Sequence, residues 1–68
     1  MTKITFTLNS EEKKITMKNC ETNQVRTYRG FLTRVLTDQL PFNIVDDLNK
    51  TGKAFMIVFD DNELVSLF

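Results

Sequence analysis

NCETNQVRT, residues 19–27, decides how the sheet of this 68-residue chain is assembled. Read one way, it is a loop that leads into a helix. Read the other way, it is a tight turn followed by a short third strand carrying Val25 and Thr27. The loop is the reading adopted here. A third strand would change the sheet order and move the basic residues relative to the acidic ones.

Upstream of this stretch, Ile4, Phe6 and Leu8 alternate with Thr5 and Thr7, the period-two pattern of a strand with one buried face. Asn9, Ser10, Glu11 and Glu12 supply turn chemistry. Ile15 and Met17 then resume the alternation, so the two strands form a hairpin. Downstream the period changes: Tyr28, Phe31, Leu32, Val35 and Leu36 fall on one helical face, with Thr27 as N-cap and an end near Gln39. Leu40 precedes a proline and leaves helical geometry. Pro41 suits the first position of a second, short helix running to about Lys50, and Gly52 stands where a left-handed C-terminal residue is expected.

AFMIVF, residues 54–59, is a continuous apolar run of strand length. It predicts a central strand buried on both faces. After a polar turn at Asp60, Asp61, Asn62 and Glu63, a last strand is expected over Leu64, Val65, Leu67 and Phe68. The expected fold is a small single α+β domain over residues 1–68 in the order β-β-α-α-β-β, a mainly antiparallel sheet packed on one long and one short helix. Phe6, Phe31, Phe42, Phe55 and Phe59 are assigned to its core. A hairpin leading to a helix that packs across a sheet resembles the outline of the ubiquitin-like β-grasp folds. Sulfur carriers and modifiers of that outline end in a Gly-Gly tail whose carboxylate is activated, whereas this sequence ends Ser66, Leu67, Phe68. The resemblance therefore implies an outline of fold and no carrier activity.

Composition narrows the chemistry. The chain has no His and a single cysteine, Cys20, so an internal disulfide is impossible and a structural zinc site lacks ligands. A core this small gains from a partner, and a homodimer or a complex with another protein is expected. The first residues lack the apolar run of a secretory signal, and AFMIVF is too short to span a bilayer, so the expected location is the cytoplasm, away from membranes. Cys20 without His lacks the usual base for nucleophilic catalysis. KTGK at 50–53 lacks the upstream glycine of a phosphate loop and reads as a helix C-cap. Asp46, Asp47, Asp60, Asp61, Asn62 and Glu63 are oxygen ligands without metal-site spacing, so they read as solvated residues. No catalytic residue, cofactor or metal is assigned.

Two surfaces remain. Leu64, Val65, Leu67 and Phe68 are more apolar than an exposed edge strand should be, and are expected to contact a protein or a second copy. Lys13, Lys14, Lys18, Arg26, Arg29 and Arg34 form a candidate phosphate-contacting face on the first helix and second strand. A solvated helix face is the plainer explanation of its arginines. Up to Thr37 the chain holds seven Lys and Arg against three Glu; from Asp38 it holds two Lys against six Asp and Glu, so zero net charge conceals a polarised sequence. The expected function is that of a small non-enzymatic accessory or regulatory protein that binds another protein. A chain rich in Lys, Asn and Thr without His or Trp also suits a phage or mobile-element product that inhibits a host enzyme. The alternative is nucleic-acid binding through the basic face.

Overall fold

The computed structural model describes residues 1–60 and Asn62. Three strands, β1 (Thr2–Asn9), β2 (Lys14–Asn19) and β3 (Val25–Arg29), precede two helices, α1 (Phe31–Gln39) and α2 (Phe42–Thr51), and a fourth strand, β4 (Lys53–Val58), follows them. All pairings are antiparallel, in the order β3-β2-β1-β4. The α+β architecture agrees with the sequence pattern. The element order differs from the expected one at Val25, where a strand stands in place of the loop and separates the hairpin from the helix, departing from the β-grasp outline. The expected strand at Leu64–Phe68 lies outside the described residues.

The third strand exists because Asn19 builds the turn before it. Asn19 is buried, and its side-chain oxygen accepts the backbone N–H groups of Glu21 (2.9 Å) and Thr22 (3.2 Å). Its own N–H donates to the carbonyl of Gln24 (2.9 Å), and Asn23 takes the left-handed conformation, φ 63°. An asparagine closing a turn on its own backbone returns the chain antiparallel to β2. Gly30, at φ 55° and ψ −125°, then ends β3 and turns the chain into α1. Tyr28 consequently belongs to a strand, where it packs half-buried against the core, and the helix starts at Phe31 with Gly30 rather than Thr27 at its N-cap.

That later start rotates the helix. Leu36 and Leu40 face the sheet, with Thr33 and Thr37 half-buried beside them. Both threonines are tolerated there because their hydroxyls donate to carbonyls three residues back, Thr33 to Gly30 (2.7 Å) and Thr37 to Arg34 (3.1 Å). Phe31, Leu32 and Val35, expected inside, are exposed. In α2, Ile44 and Leu48 are buried one turn apart with Val45 against them, while Phe42 is exposed and Pro41 serves as N-cap. Gly52 adopts the expected left-handed C-cap, φ 78°. Its N–H donates to Leu48 (2.9 Å) and its carbonyl accepts from Leu8 (2.8 Å), joining the end of α2 to β1.

Ile4, Phe6, Ile15, Met17 and Val58 from the sheet form one core with Leu36, Leu40, Ile44 and Leu48 from the helices. Phe6 is the only one of the five assigned phenylalanines in this core, since Phe31, Phe42 and Phe59 are more than three-quarters exposed and Phe55 is 57% exposed. The run 54–59 is not a doubly buried central strand. Among the described residues β4 ends the sheet, with Ala54, Met56 and Val58 against the helices and Phe55 and Ile57 on the opposite face.

Candidate functional site

The helices cover one face of the sheet, and the strand registers define what lies on the other. Along β2, Lys14, Thr16 and Lys18 point away from the core and stand opposite Arg29, Thr27 and Val25 of β3. On the other side they stand opposite Asn9, Thr7 and Thr5 of β1, which in turn carries Lys3. Lys53, Phe55 and Ile57 of β4 pair with Thr7, Thr5 and Lys3. The open face is thus a field of five cations, Lys3, Lys14, Lys18, Arg29 and Lys53, set among threonines. All but Lys14, Thr5 and Thr16 in that field are exposed, and those three are half-buried.

None of the four strands contains an Asp or Glu, while together they hold six of the chain's nine Lys and Arg residues. The carboxylates of the described residues lie in the turns (Glu11, Glu12, Glu21), on the helices (Asp38, Asp46, Asp47) and at Asp60. Folding therefore sorts charge by face rather than by sequence half: among the described residues the open sheet face carries cations alone, while the helix side is mixed, Asp38, Asp46 and Asp47 standing with Arg26, Arg34 and Lys50.

One carboxylate reaches the edge of the basic field. Glu12 lies 2.6 Å from the Lys14 ammonium. The hydrogen bond and charge of Lys14, with a further contribution from Arg29, hold its carboxyl below the ordinary value. Lys14 and Arg29 are directly opposite in register, a like-charged cross-strand pair, and Glu12 offsets their repulsion. Elsewhere on the face the Lys3 ammonium stands 4.8 Å from the centroid of the Phe55 ring. At an exposed site such a contact contributes about 0.5–1 kcal/mol. Lys3, Thr5, Thr7, Lys53 and Phe55 line an open depression of about 260 Å³ between β1 and β4.

The six basic residues singled out from the sequence do not form one site. Lys14, Lys18 and Arg29 share the open face. Arg26 falls on the helix side of β3, opposite Met17. Lys13 sits in the β1–β2 turn at φ 52° and lines a separate depression with Arg34 of α1, beside Phe31. Arg29 and Arg26 belong to a strand and not to the first helix, so only Arg34 remains there. Lys3 and Lys53 were missed. The signal for both was the outward position in each strand's alternation, which could be read for Lys3 from Ile4, Phe6 and Leu8 but was hidden in β4 by an apolar run on both faces.

The proposed protein-contact residues Leu64, Val65, Leu67 and Phe68 lie outside the described residues. Of the acidic residues weighed as ligands, Asp46 pairs with Lys50 (2.9 Å) one helical turn on, and the Asp60 carboxylate accepts the Asn62 N–H (2.9 Å). Among the described residues no three His, Cys, Asp or Glu side chains converge as a metal site, and no helix is long and apolar enough to cross a membrane. Comparison with protein-family models, with curated proteins and with solved structures finds no match to this chain.

Proposed function

We propose that this protein is a binding module for polyanions, acting on nucleic acid through the open face of its sheet, in the cytoplasm. The observation that carries the reading is the segregation of charge: five cations project from strands that hold no carboxylate. Such a field attracts a phosphate backbone by releasing its condensed counterions, and interspersed threonine hydroxyls donate to phosphate oxygens. Cys20, exposed and alone, is suited to a compartment that keeps thiols reduced.

Salt dependence and charge reversal test the reading. Five phosphate contacts to a single strand correspond to a slope of roughly −3.5 in log K against log salt, a loss on the order of a hundredfold between about 50 and 200 mM. Lys18→Glu and Arg29→Glu should each weaken binding of a labelled oligonucleotide in an anisotropy titration, while Lys50→Glu on α2 leaves it nearly unchanged. Absence of binding at low salt, or equal losses from the sheet and helix variants, would remove the reading.

A second reading, an accessory protein that binds another protein, is favoured by a different surface. Phe31, Leu32 and Val35 form an exposed apolar strip on α1, and single exposed apolar residues are ordinary whereas a contiguous group of them marks a contact. Self-association through this strip would appear in light scattering as a salt-resistant dimer that Phe31→Ser returns to monomer. A monomer at every concentration would leave this strip without a role in self-pairing.

A further inference from the structure

The basic face recognises charge, and the arrangement around Phe55 narrows which nucleic acid it fits. Resting on the polyanion reading above, we infer that the ligand is single-stranded, with a base stacked on Phe55 in the depression between β1 and β4 and its flanking phosphates held by Lys3 and Lys53.

Shape argues against a duplex read in its major groove. Four strands about 4.8 Å apart place the outer strand axes roughly 14 Å from each other. A major groove about 12 Å wide admits one helix or a two-stranded ribbon, not this sheet. Neither helix offers a substitute. The outer side of α1 carries Phe31, Leu32 and Val35, and α2 carries Asp46 and Asp47, which repel phosphate. A single strand instead lies across an open sheet with its bases turned toward it.

Phe55 gives those bases a surface. It is 57% exposed, stands opposite Thr5, and among the described residues is the one aromatic residue projecting from the strands on the open face. An exposed aromatic ring offers a flat apolar surface, and every base has a π-face to lay on it. The Lys3 ammonium lies over the ring, 4.8 Å from its centroid, so a base stacking on that face takes its place and the flexible lysine moves aside to the flanking phosphate. At about 260 Å³ the depression is smaller than the pockets of roughly 300–1,000 Å³ that enclose small molecules, and it is open rather than closed over. It seats one flat group laid on the ring. Threonines 5 and 7 beside it donate and accept alike, which suits stacking that tolerates any base.

The experiment is an anisotropy titration at low salt with labelled oligothymidine, oligouridine, a mixed-sequence duplex and unlabelled polyphosphate as competitor, on the full chain and on Phe55→Ala and Phe55→Trp. Single strands should bind at least about tenfold more tightly than the duplex, and Phe55→Ala should lose roughly 5- to 150-fold while the salt slope is unchanged. Phe55→Trp should retain binding, and its fluorescence, the only tryptophan signal in the chain, should be quenched by the oligonucleotide. Oligothymidine and oligouridine separate DNA from RNA as the source of the strand. Equal affinity for duplex, single strand and polyphosphate, with Phe55→Ala binding like the parent, would overturn the stacking inference and leave the basic-face reading standing. No binding to any of them would overturn both, leaving a protein surface as the partner.

Discussion

On β1, Ile4 and Phe6 are at most 1% exposed beneath the helices, while Lys3, Thr5 and Thr7 between and beside them face outward. The same five consecutive residues therefore serve two surfaces, one held together by excluding water and one kept open to it. On β4 the distinction is weaker, because Phe55 and Ile57 are as apolar as the Ala54, Met56 and Val58 behind them. The difference between the two strands teaches that hydrophobicity alone does not locate a core. What decides burial is which face the helices reach, and α2 lies against only one side of β4.

The largest effect should separate the two faces at a single residue type. Phe6→Ala removes a ring from the centre of the core and should cost about 3–5 kcal/mol. Phe55→Ala, on the open face, should change stability by only about 0.5 kcal/mol. Urea unfolding followed by circular dichroism compares them directly, and similar losses would mean that the open face is covered. An intermediate effect is expected at the turn that orders β3 and so brings Arg29 to the field. Asn19→Ala leaves the N–H groups of Glu21 and Thr22 without their acceptor and should cost about 1–2 kcal/mol. Thr22→Ala, whose hydroxyl accepts only a long bond (3.3 Å) from Gln24, should be nearly neutral in the same unfolding series.

The smallest effect concerns the carboxylate at the edge of the basic face. Because Glu12 is held below its unfolded value, its contribution to stability is present above the unfolded pKa and is lost as pH falls through the folded one. Lys14→Gln should move the Glu12 carboxyl back up toward the ordinary value in an NMR titration, and should remove that acid-range dependence. An unmoved titration would show that Lys14 does not engage Glu12 in solution.

Much of the fold was legible in the sequence because period and punctuation agree at several places. The β1–β2 hairpin follows from strict alternation, and the end of α2 follows from Gly52, whose left-handed conformation few other residues take without strain. β3 was less legible. Val25 to Arg29 holds one exposed aliphatic residue and no alternation, and its existence depends on hydrogen bonds that one asparagine makes to its own turn. The helical period at Tyr28, Phe31, Leu32, Val35 and Leu36 also misled, since it spans the Gly30 break and gives the inward face to Phe31, Leu32 and Val35, where Thr33 and Thr37 stand beside Leu36 instead. The site suffered from the same error. Placing Arg26 and Arg29 on a helix joined them to Arg34, whereas on a strand two arginines an odd number of positions apart point to opposite sides, and only Arg29 joins Lys14 and Lys18.

The opposed Lys14 and Arg29, on a face with no negative charge in its strands, give the protein two contrary responses to ionic strength. Screening relieves repulsion among the cations and so favours the folded chain, while the same screening weakens their hold on an anionic ligand. As salt rises, the thermal midpoint of the free protein should climb while its affinity falls. A bound polyanion performs the neutralisation that salt otherwise supplies, so the ligand is also a stabiliser, most effective in dilute buffer, where the empty face is under the greatest internal pressure.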